Sequence, residues 1–577
     1  MTDLREKKKP SFGIFKNFSN FLNINTLLTI LISLSILAIA IYCTSKIATW
    51  IHSNIGQPFE IHQFNYTWTH TSNITESRIR YFEIYGDVNY YYTTYLDAFN
   101  NWTNPSKIIE YRIWYFEIYG DSSYYYTAYL DAFIDWWNPY KRYVGPLDYY
   151  LYGPMFIYGL YFTYLFVSLF NPSASRELLV QDAVKWTAIN FEALSAVMVY
   201  LIILNFPLFK KTKVKKHLYG ILGAFTCVFM PMNLLYLDSY YLNTPQMTFF
   251  TLLTIFLFLK KRYRLSAYSL SIAWLTKQIP LFLLIPLFSY IWKTYDLRKA
   301  FKEFLKPFLV SFLIFSIPWI ILTPHLYIGR IFAAGRSLWY VDNSVEALKH
   351  GVTFANTILY LGSQRLATFY IWINIPMIPF LLFYGLGLFV GHFNAKKIGR
   401  NDSVFIYYIT WLLLIVHTFI SRGIFKYYDP FLNPFLVLSS IFFIENIIQK
   451  MRKIKPINSS KGKSVLESSE PLSNKIFWTI INIMWIVILI GFIYGINWSI
   501  MTTIRFLHPV FLLGVTLLLS PLIPSDYYRE VFKKESWKQL KEDFKEFFRY
   551  IKESFKGFFS KLKGFFKRKQ QNKGNDK

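Results

Sequence analysis

Two stretches of the chain set carboxylates beside aromatic rings at fixed spacing. Arg78–Pro105 and Arg112–Pro139 repeat at an offset of 34 residues and differ at seven of 28 positions. The second copy holds Asp121, Tyr124, Tyr125, Tyr129 and Asp131, and Asp87 stands in the first copy where Asp121 stands in the second. Rings stack on the C–H faces of a pyranose, and carboxylates accept hydrogen bonds from hydroxyls, so this pairing suits a sugar. The same tyrosines also suit an aromatic belt at a membrane surface, and composition does not separate the two. A 34-residue period matches helical solenoids, but two copies are too few and the tetratricopeptide residues are missing, so the repeat reads as a local duplication.

Cations form the second set. Lys277 and Gln278 stand between two apolar runs, and Arg422, Lys426 and Tyr427 stand between two others. Ionisable groups at membrane depth are costly and point to function. A lysine supplies a point charge to an anion and an arginine a two-pronged fork. The competing readings are a snorkelling lysine and ordinary interfacial anchors. Asp238 and Gln246 border another apolar run and can hydrogen-bond sugar hydroxyls or serve structure alone. Arg330 and Arg336 are weaker candidates for the same anion-binding role. His325, His350 and His417 lack metal-ligand spacing, so a metal is not indicated.

The elements that must position these groups are membrane helices. The chain is 54% hydrophobic and 21% aromatic, and apolar runs approaching the roughly 20 residues of a bilayer crossing recur along it. Its net charge of +28 does not indicate nucleic acid, because Lys and Arg cluster in short segments between the apolar runs. Those clusters are Lys7–Lys9, Lys210–Lys216, Lys260–Arg264, Lys293–Lys306, Lys396–Arg400, Lys450–Lys463 and the C-terminal tail. With all of them cytoplasmic, an all-α polytopic protein of about 12 transmembrane helices follows. The spans are 26–49, 183–205, 217–236, 245–259, 265–277, 279–293, 307–323, 367–393, 403–420, 430–448, 476–498 and 508–524. Parity keeps Tyr152–Phe170 on the outer side as a partly immersed helix. The basic N-terminus leads into a full-length span, with no cleavable signal expected. Cys43 and Cys227 fall inside apolar runs and suggest neither a disulfide framework nor a metal.

The organisation expected is therefore a basic cytoplasmic segment (1–25), the first span (26–49) and a long helical outer loop (50–182). A transmembrane core (183–448), a cytoplasmic Ser/Lys-rich linker (449–475), two last spans (476–524) and a basic amphipathic tail (525–577) follow. The outer loop holds sequons at Asn65, Asn73 and Asn101, a weak sign of an outside location. In the tail, Trp537, Leu540, Phe544, Phe547, Ile551, Phe555, Phe558, Leu562 and Phe565 recur at spacings of three and four, with lysines opposite. That pattern fits a helix lying on an anionic leaflet, or one docking on a partner.

Only the second repeat runs into Asn138-Pro139-Tyr140 and then Tyr150-Leu151-Tyr152-Gly153-Pro154. That order after a first span resembles the GT-C glycosyltransferases, most closely glycosyltransferase family 87 and the GPI mannosyltransferase I type. Leu275-Thr276-Lys277-Gln278-Ile279-Pro280 resembles the family's lysine-containing turn. Gly423-Ile424-Phe425-Lys426-Tyr427-Tyr428, with Pro430 and Pro434, resembles its aromatic outer turn. The resemblance spans roughly residues 20–450. It departs at Asp121-Ser122-Ser123, where an Asp-x-Asp form is absent, and at Pro245-Gln246, where the family often has Gly-Gln.

The resemblance implies a transferase that moves a sugar, with mannose expected, from a polyprenyl or dolichyl phosphate to a glycan, lipid or protein acceptor on the non-cytoplasmic face, with inversion. Asp121 is then the expected general base, with Asp131 and Asp87 as the other candidates. Lys277, Gln278, Arg422 and Lys426 would hold the phosphate. Tyr427, Tyr125, Tyr152, Gln246 and Asp238 would line the sugar. No cofactor is implied. The partners are the lipid-phosphate sugar, the acceptor and membrane lipids, without nucleic acid. The expected location is the plasma membrane, with the endoplasmic reticulum as the other choice and both termini cytoplasmic. A transporter, flippase or assembly protein for lipid-linked glycans is the alternative.

Overall fold

A computed structural model describes residues 24–54, 154–174, 176–206, 213–230, 233, 243–322, 327, 388–395, 403–419, 431–454 and 525–575. Every regular element among them is helical. In chain order they are α1 (Ile24–Asn54), α2 (Met155–Phe170), α3 (Arg176–Asn205), α4 (Lys213–Val228), α5 (Thr244–Leu259) and α6 (Tyr263–Thr276). A 3₁₀ turn at Ile279–Leu283 leads into α7 (Leu284–Thr294). A short helix (Leu297–Ala300) and a π turn (Phe301–Leu305) lead into α8 (Lys306–Leu322). A π turn at Leu388–Phe393 precedes α9 (Ser403–Phe419) and α10 (Asn433–Ile454), and α11 (Ser525–Phe532) precedes α12 (Lys534–Asn575).

Three described segments are long and apolar enough to cross a membrane: Asn25–Lys46, Asp182–Asn205 and Leu297–Ile321. Shorter apolar helices occupy Tyr158–Phe170, Thr244–Leu259, Ile279–Thr294 and Val404–Val416. The expected spans at 26–49, 183–205, 245–259, 265–277, 307–323 and 403–420 each coincide with a helix to within a few residues, α1 and α3 running several residues further. The segment 217–236 is helical only to Val228 within the described residues. The repeat loop, most of the 367–393 segment, the 449–475 linker beyond Ile454 and the spans at 476–498 and 508–524 lie outside the described residues.

Contacts between helix ends show which ends lie together. The Tyr200 hydroxyl of α3 bonds His217 Nδ1 at the start of α4 at 2.8 Å. Lys215 of α4 pairs with Glu445 of α10, whose neighbour Asn446 donates to the Tyr407 hydroxyl of α9. Phe405 of α9 stacks on Phe258 of α5 and meets Tyr290 of α7 edge-on. The Tyr263 and Tyr295 hydroxyls meet between α6 and α7, and Arg264 pairs with Glu303 at 2.7 Å. The described basic segments near 213–216, 260–264 and 293–306 are thus gathered at one end of the bundle, called here the basic end. This is what pairs of antiparallel helices between successive basic clusters demand.

Close packing between the helices uses small residues. A Cβ at Gly223 of α4 would stand 2.7 Å from Ile441 of α10 and 2.8 Å from Ile203 of α3. A Cβ at Gly391 would stand 2.3 Å from the Pro286 carbonyl, so the π turn lies directly on the α7 backbone. Such approach is how helices associate where burial from water gives no drive.

The α5–α6 turn is a Schellman closure. Arg262 N–H donates to Leu257 O and Lys261 N–H to Phe258 O, with Lys261 at φ 61°. Glycine is the usual occupant, because a left-handed residue with a Cβ costs about 1–2 kcal/mol. Lysine keeps positive charge at the basic end and at a helix C-terminus. Lys261→Gly should relieve that strain, less the roughly 0.5–1 kcal/mol that glycine's freedom adds to the unfolded chain. The expected outcome is a small rise in the thermal unfolding midpoint in detergent; a fall would contradict the strained turn.

Candidate functional site

The other end of the α5–α6 hairpin carries the polar groups. α5 has 16 residues and α6 has 14, so they rise about 24 Å and 21 Å. A hydrocarbon core is about 30 Å thick. Both helices are shorter than that thickness, and their far ends lie away from the basic turn. There the chain places Asn243, the residue capping α5, and Lys277, the residue that ends α6.

Lys277 leaves the helix in extended conformation, φ −158° and ψ 148°. Its ammonium donates to Asn243 Oδ1 at 3.2 Å. Lys277 is 3% exposed and Asn243 fully buried. The snorkelling geometry that the sequence left open is not adopted, because the side chain turns inward to an amide oxygen rather than outward to a surface.

Around this pair, three polar atoms meet no protein partner among the described residues: Asn243 Nδ2, Thr244 Oγ1 and Gln246 Oε1. Thr244 and Gln246 are buried as well. An unmet buried donor costs roughly 1–3 kcal/mol, so such a group calls for a ligand or water. Asn243 caps α5, and Thr244 and Gln246 lie in its first turn, where the unpaired N–H groups and the helix dipole favour an anion.

α2 covers one side of this cluster. Gln246 Nε2 donates to Met155 O at 2.8 Å, and a Cβ at Gly159 would stand 2.6 Å from Gln246 Oε1, so the glycine makes room for the amide. α2 is held in turn by α8, where Trp319 Nε1 donates to the Tyr158 hydroxyl at 3.0 Å, and by α3, where the Thr187 and Thr163 hydroxyls meet at 2.8 Å. The apolar segment expected at Tyr152–Phe170 is thus a helix from Met155 that packs against α3 and reaches the Lys277 end through Met155 and Gly159.

Of the sequence candidates, Lys277 and Gln246 come to one end of one hairpin. Gln278 follows, half-buried, with its carbonyl accepting from Leu281 N–H at 3.1 Å. Asp121, Asp131, Asp87, Tyr125, Tyr152, Asp238, Arg422, Lys426 and Tyr427 lie outside the described residues. Gln246, read as a sugar contact, uses its amide nitrogen to tie α5 to α2 and leaves only Oε1 for a ligand. Asn243 and Thr244 escaped the sequence reading. Their signal was Asn-Thr-Pro before an apolar run, a helix start that places polar groups at the mouth of the hairpin. Among the described residues no three His, Cys, Asp or Glu side chains come together.

The chain matches no family model and no curated protein. Lys277, the Asn243 amide and the Thr244 hydroxyl thus lie buried at the N-terminal end of one helix, donors of the kind an anion accepts from.

Asn243→Leu removes an acceptor that Lys277 uses and should destabilise the chain by about 1–3 kcal/mol. Lys277→Met should cost much less, because an apolar side chain of similar length replaces a desolvated charge. Adding Lys277→Met to Asn243→Leu should recover part of the loss. Strictly additive unfolding free energies would show that the two side chains do not interact.

Proposed function

We propose that this chain is a polytopic membrane glycosyltransferase that takes a sugar, with mannose expected, from a polyprenyl or dolichyl phosphate and gives it to a glycan, lipid or protein acceptor. The observation that carries this reading is the buried Lys277–Asn243 pair at the N-terminus of α5, with Asn243 Nδ2 and Thr244 Oγ1 unmet among the described residues. The resemblance to the GT-C glycosyltransferases in the lysine turn and the Tyr-x-Tyr-x-Pro segment supports it. With the basic end cytoplasmic, the chain crosses about twelve times, and the Lys277 cluster faces the opposite side.

In this mechanism a carboxylate, with Asp121 in that role, takes the proton of the acceptor hydroxyl. The acceptor oxygen bonds to the anomeric carbon as the bond from that carbon to the phosphate oxygen breaks, which inverts the centre. The lipid phosphate leaves with one more negative charge than it had as a diester, and the site must stabilise that increment. Lys277, the Asn243 amide and the Thr244 hydroxyl are donors held in place before the charge develops. Polyprenyl phosphate is a good leaving group, so no general acid is required. Lys277 in a site closed off from water exerts more force on the phosphate than an exposed lysine would.

Purified protein in vesicles containing polyprenyl-phosphate mannose and a glycolipid acceptor, without nucleotide sugar, should yield mannosylated acceptor and free lipid phosphate. Asp121→Asn should abolish transfer with folding intact. Lys277→Met should lower the rate by roughly 10²–10³, the scale of losing one preorganised donor to a developing oxyanion. Transfer only from a nucleotide sugar would reject the assignment.

A further inference from the structure

α12 is a single helix of 42 residues with two different halves. Lys534–Tyr550 carries five Lys or Arg against four Asp or Glu, whereas 551–575 carries eight against the single Glu553. The apolar spacing runs unbroken through both: Leu540, Phe544 and Phe547 continue as Phe555, Phe558 and Leu562.

The balanced half is docked on the bundle at its basic end. Phe547 packs on Phe288 and Trp292 of α7, with ring centroids 6.3 and 5.9 Å apart. Tyr550 meets Phe301, and Trp537 meets Phe393, both at 5.3 Å. At the centre, Asp543 accepts from Lys293 Nζ at the end of α7 and from Gln539, and bonds His392 Nε2 at 2.7 Å. Burial by itself would raise the Asp543 carboxyl, but the bonds from His392, Lys293 and Gln539 outweigh it and hold it well below the usual carboxylate range. Docking therefore fixes the first half of the helix beside Lys293, at the level where α7 ends.

The basic half extends beyond this clasp. A Cβ added at Gly557 or Gly564 would meet nothing within 4 Å, and Lys552, Lys556 and Ser560 are exposed. About 37 Å of helix thus carries the apolar stripe onward without the balancing acids. We propose that residues 551–575 of α12 bind the anionic lipid surface of the leaflet at the basic end, with the Asp543 clasp as their anchor. Three features favour lipid over a protein partner. The clasp holds the helix at the ends of the spanning helices, where headgroups lie. The charge of this half is nearly all of one sign, as an anionic surface requires. The change in charge balance follows directly on Tyr550, the last residue with a described ring contact to the bundle. Each Lys or Arg near such a surface adds roughly 1 kcal/mol, or about fivefold in the bound fraction, and the attraction fades within a Debye length. This inference uses the basic end as a membrane surface and is independent of the transfer chemistry.

The test uses the full chain in lipid nanodiscs. Gly557→Cys in a Cys43→Ala background, with Cys227 buried, carries a fluorophore where space is open. In nanodiscs containing phosphatidylglycerol the fluorophore should be shielded from iodide, and it should become accessible in phosphatidylcholine alone or at high salt. Changing Lys556, Lys561, Lys563 and Lys567 to Gln should restore access in the anionic discs. Asp543→Ala should loosen the docked half, read by a probe at Ser536→Cys, without changing the lipid-charge dependence at 557. Equal access in both lipids would overturn the proposal. Equal shielding in both, insensitive to salt and to the lysine changes, would also overturn it and point to a protein face.

Discussion

An ammonium withdrawn from water must find oxygen, and an apolar helical bundle has few to offer away from its ends. At Lys277 the requirement is met by Asn243, 34 residues earlier and on the neighbouring helix. That bond ties the end of α6 to the start of α5, and both helices of the hairpin are shorter than a hydrocarbon core is thick. The other features near this end follow from it. α2 covers the pair through Met155, Gly159 leaves space for Gln246, and α8 holds α2 through Trp319 and Tyr158. A buried cation in such a place is costly to maintain, and its neighbours leave donor groups unmet, so the arrangement makes sense as a receptor for an anion.

The opposite end obeys another constraint. Basic residues there stand at helix ends and turns, and Lys261 keeps its charge despite a left-handed backbone that glycine would adopt without strain. The bundle also spends aromatic surface there on its own tail: Trp292 and Phe288 receive Phe547, and Asp543 sits between Lys293 and His392. Buried donors at one end and clustered basic residues at the other give the molecule its polarity.

Much of this was legible in the sequence, for local reasons. Apolar runs bounded by lysines place α5 and α6 within two residues of where they lie, because hydrophobic length and flanking charge decide a membrane helix without reference to its neighbours. α3 starts at Arg176 rather than 183 because a helix can continue in polar sequence beyond the core. Lys277 could be named from its neighbours but not its burial, which depends on two short helices ending together and on Asn243 across the gap. The tail was legible as amphipathic but not as divided. An apolar stripe has the same spacing whether it meets lipid or protein, and the Asp543 clasp shows which part of it is docked on the bundle. Asp121 and the rest of the repeat loop stand in the account through their resemblance to the glycosyltransferases.

The central claim is that the buried Lys277 end of the α5–α6 hairpin holds the phosphate of a polyprenyl lipid. Native mass spectrometry of the protein released from vesicles containing polyprenyl phosphate tests it most directly. The account requires about one lipid phosphate retained per chain, lost in Lys277→Met and weakened in Thr244→Val, with the dephosphorylated polyprenol not retained. Equal retention by the parent protein and Lys277→Met, or equal retention of the polyprenol, would contradict it.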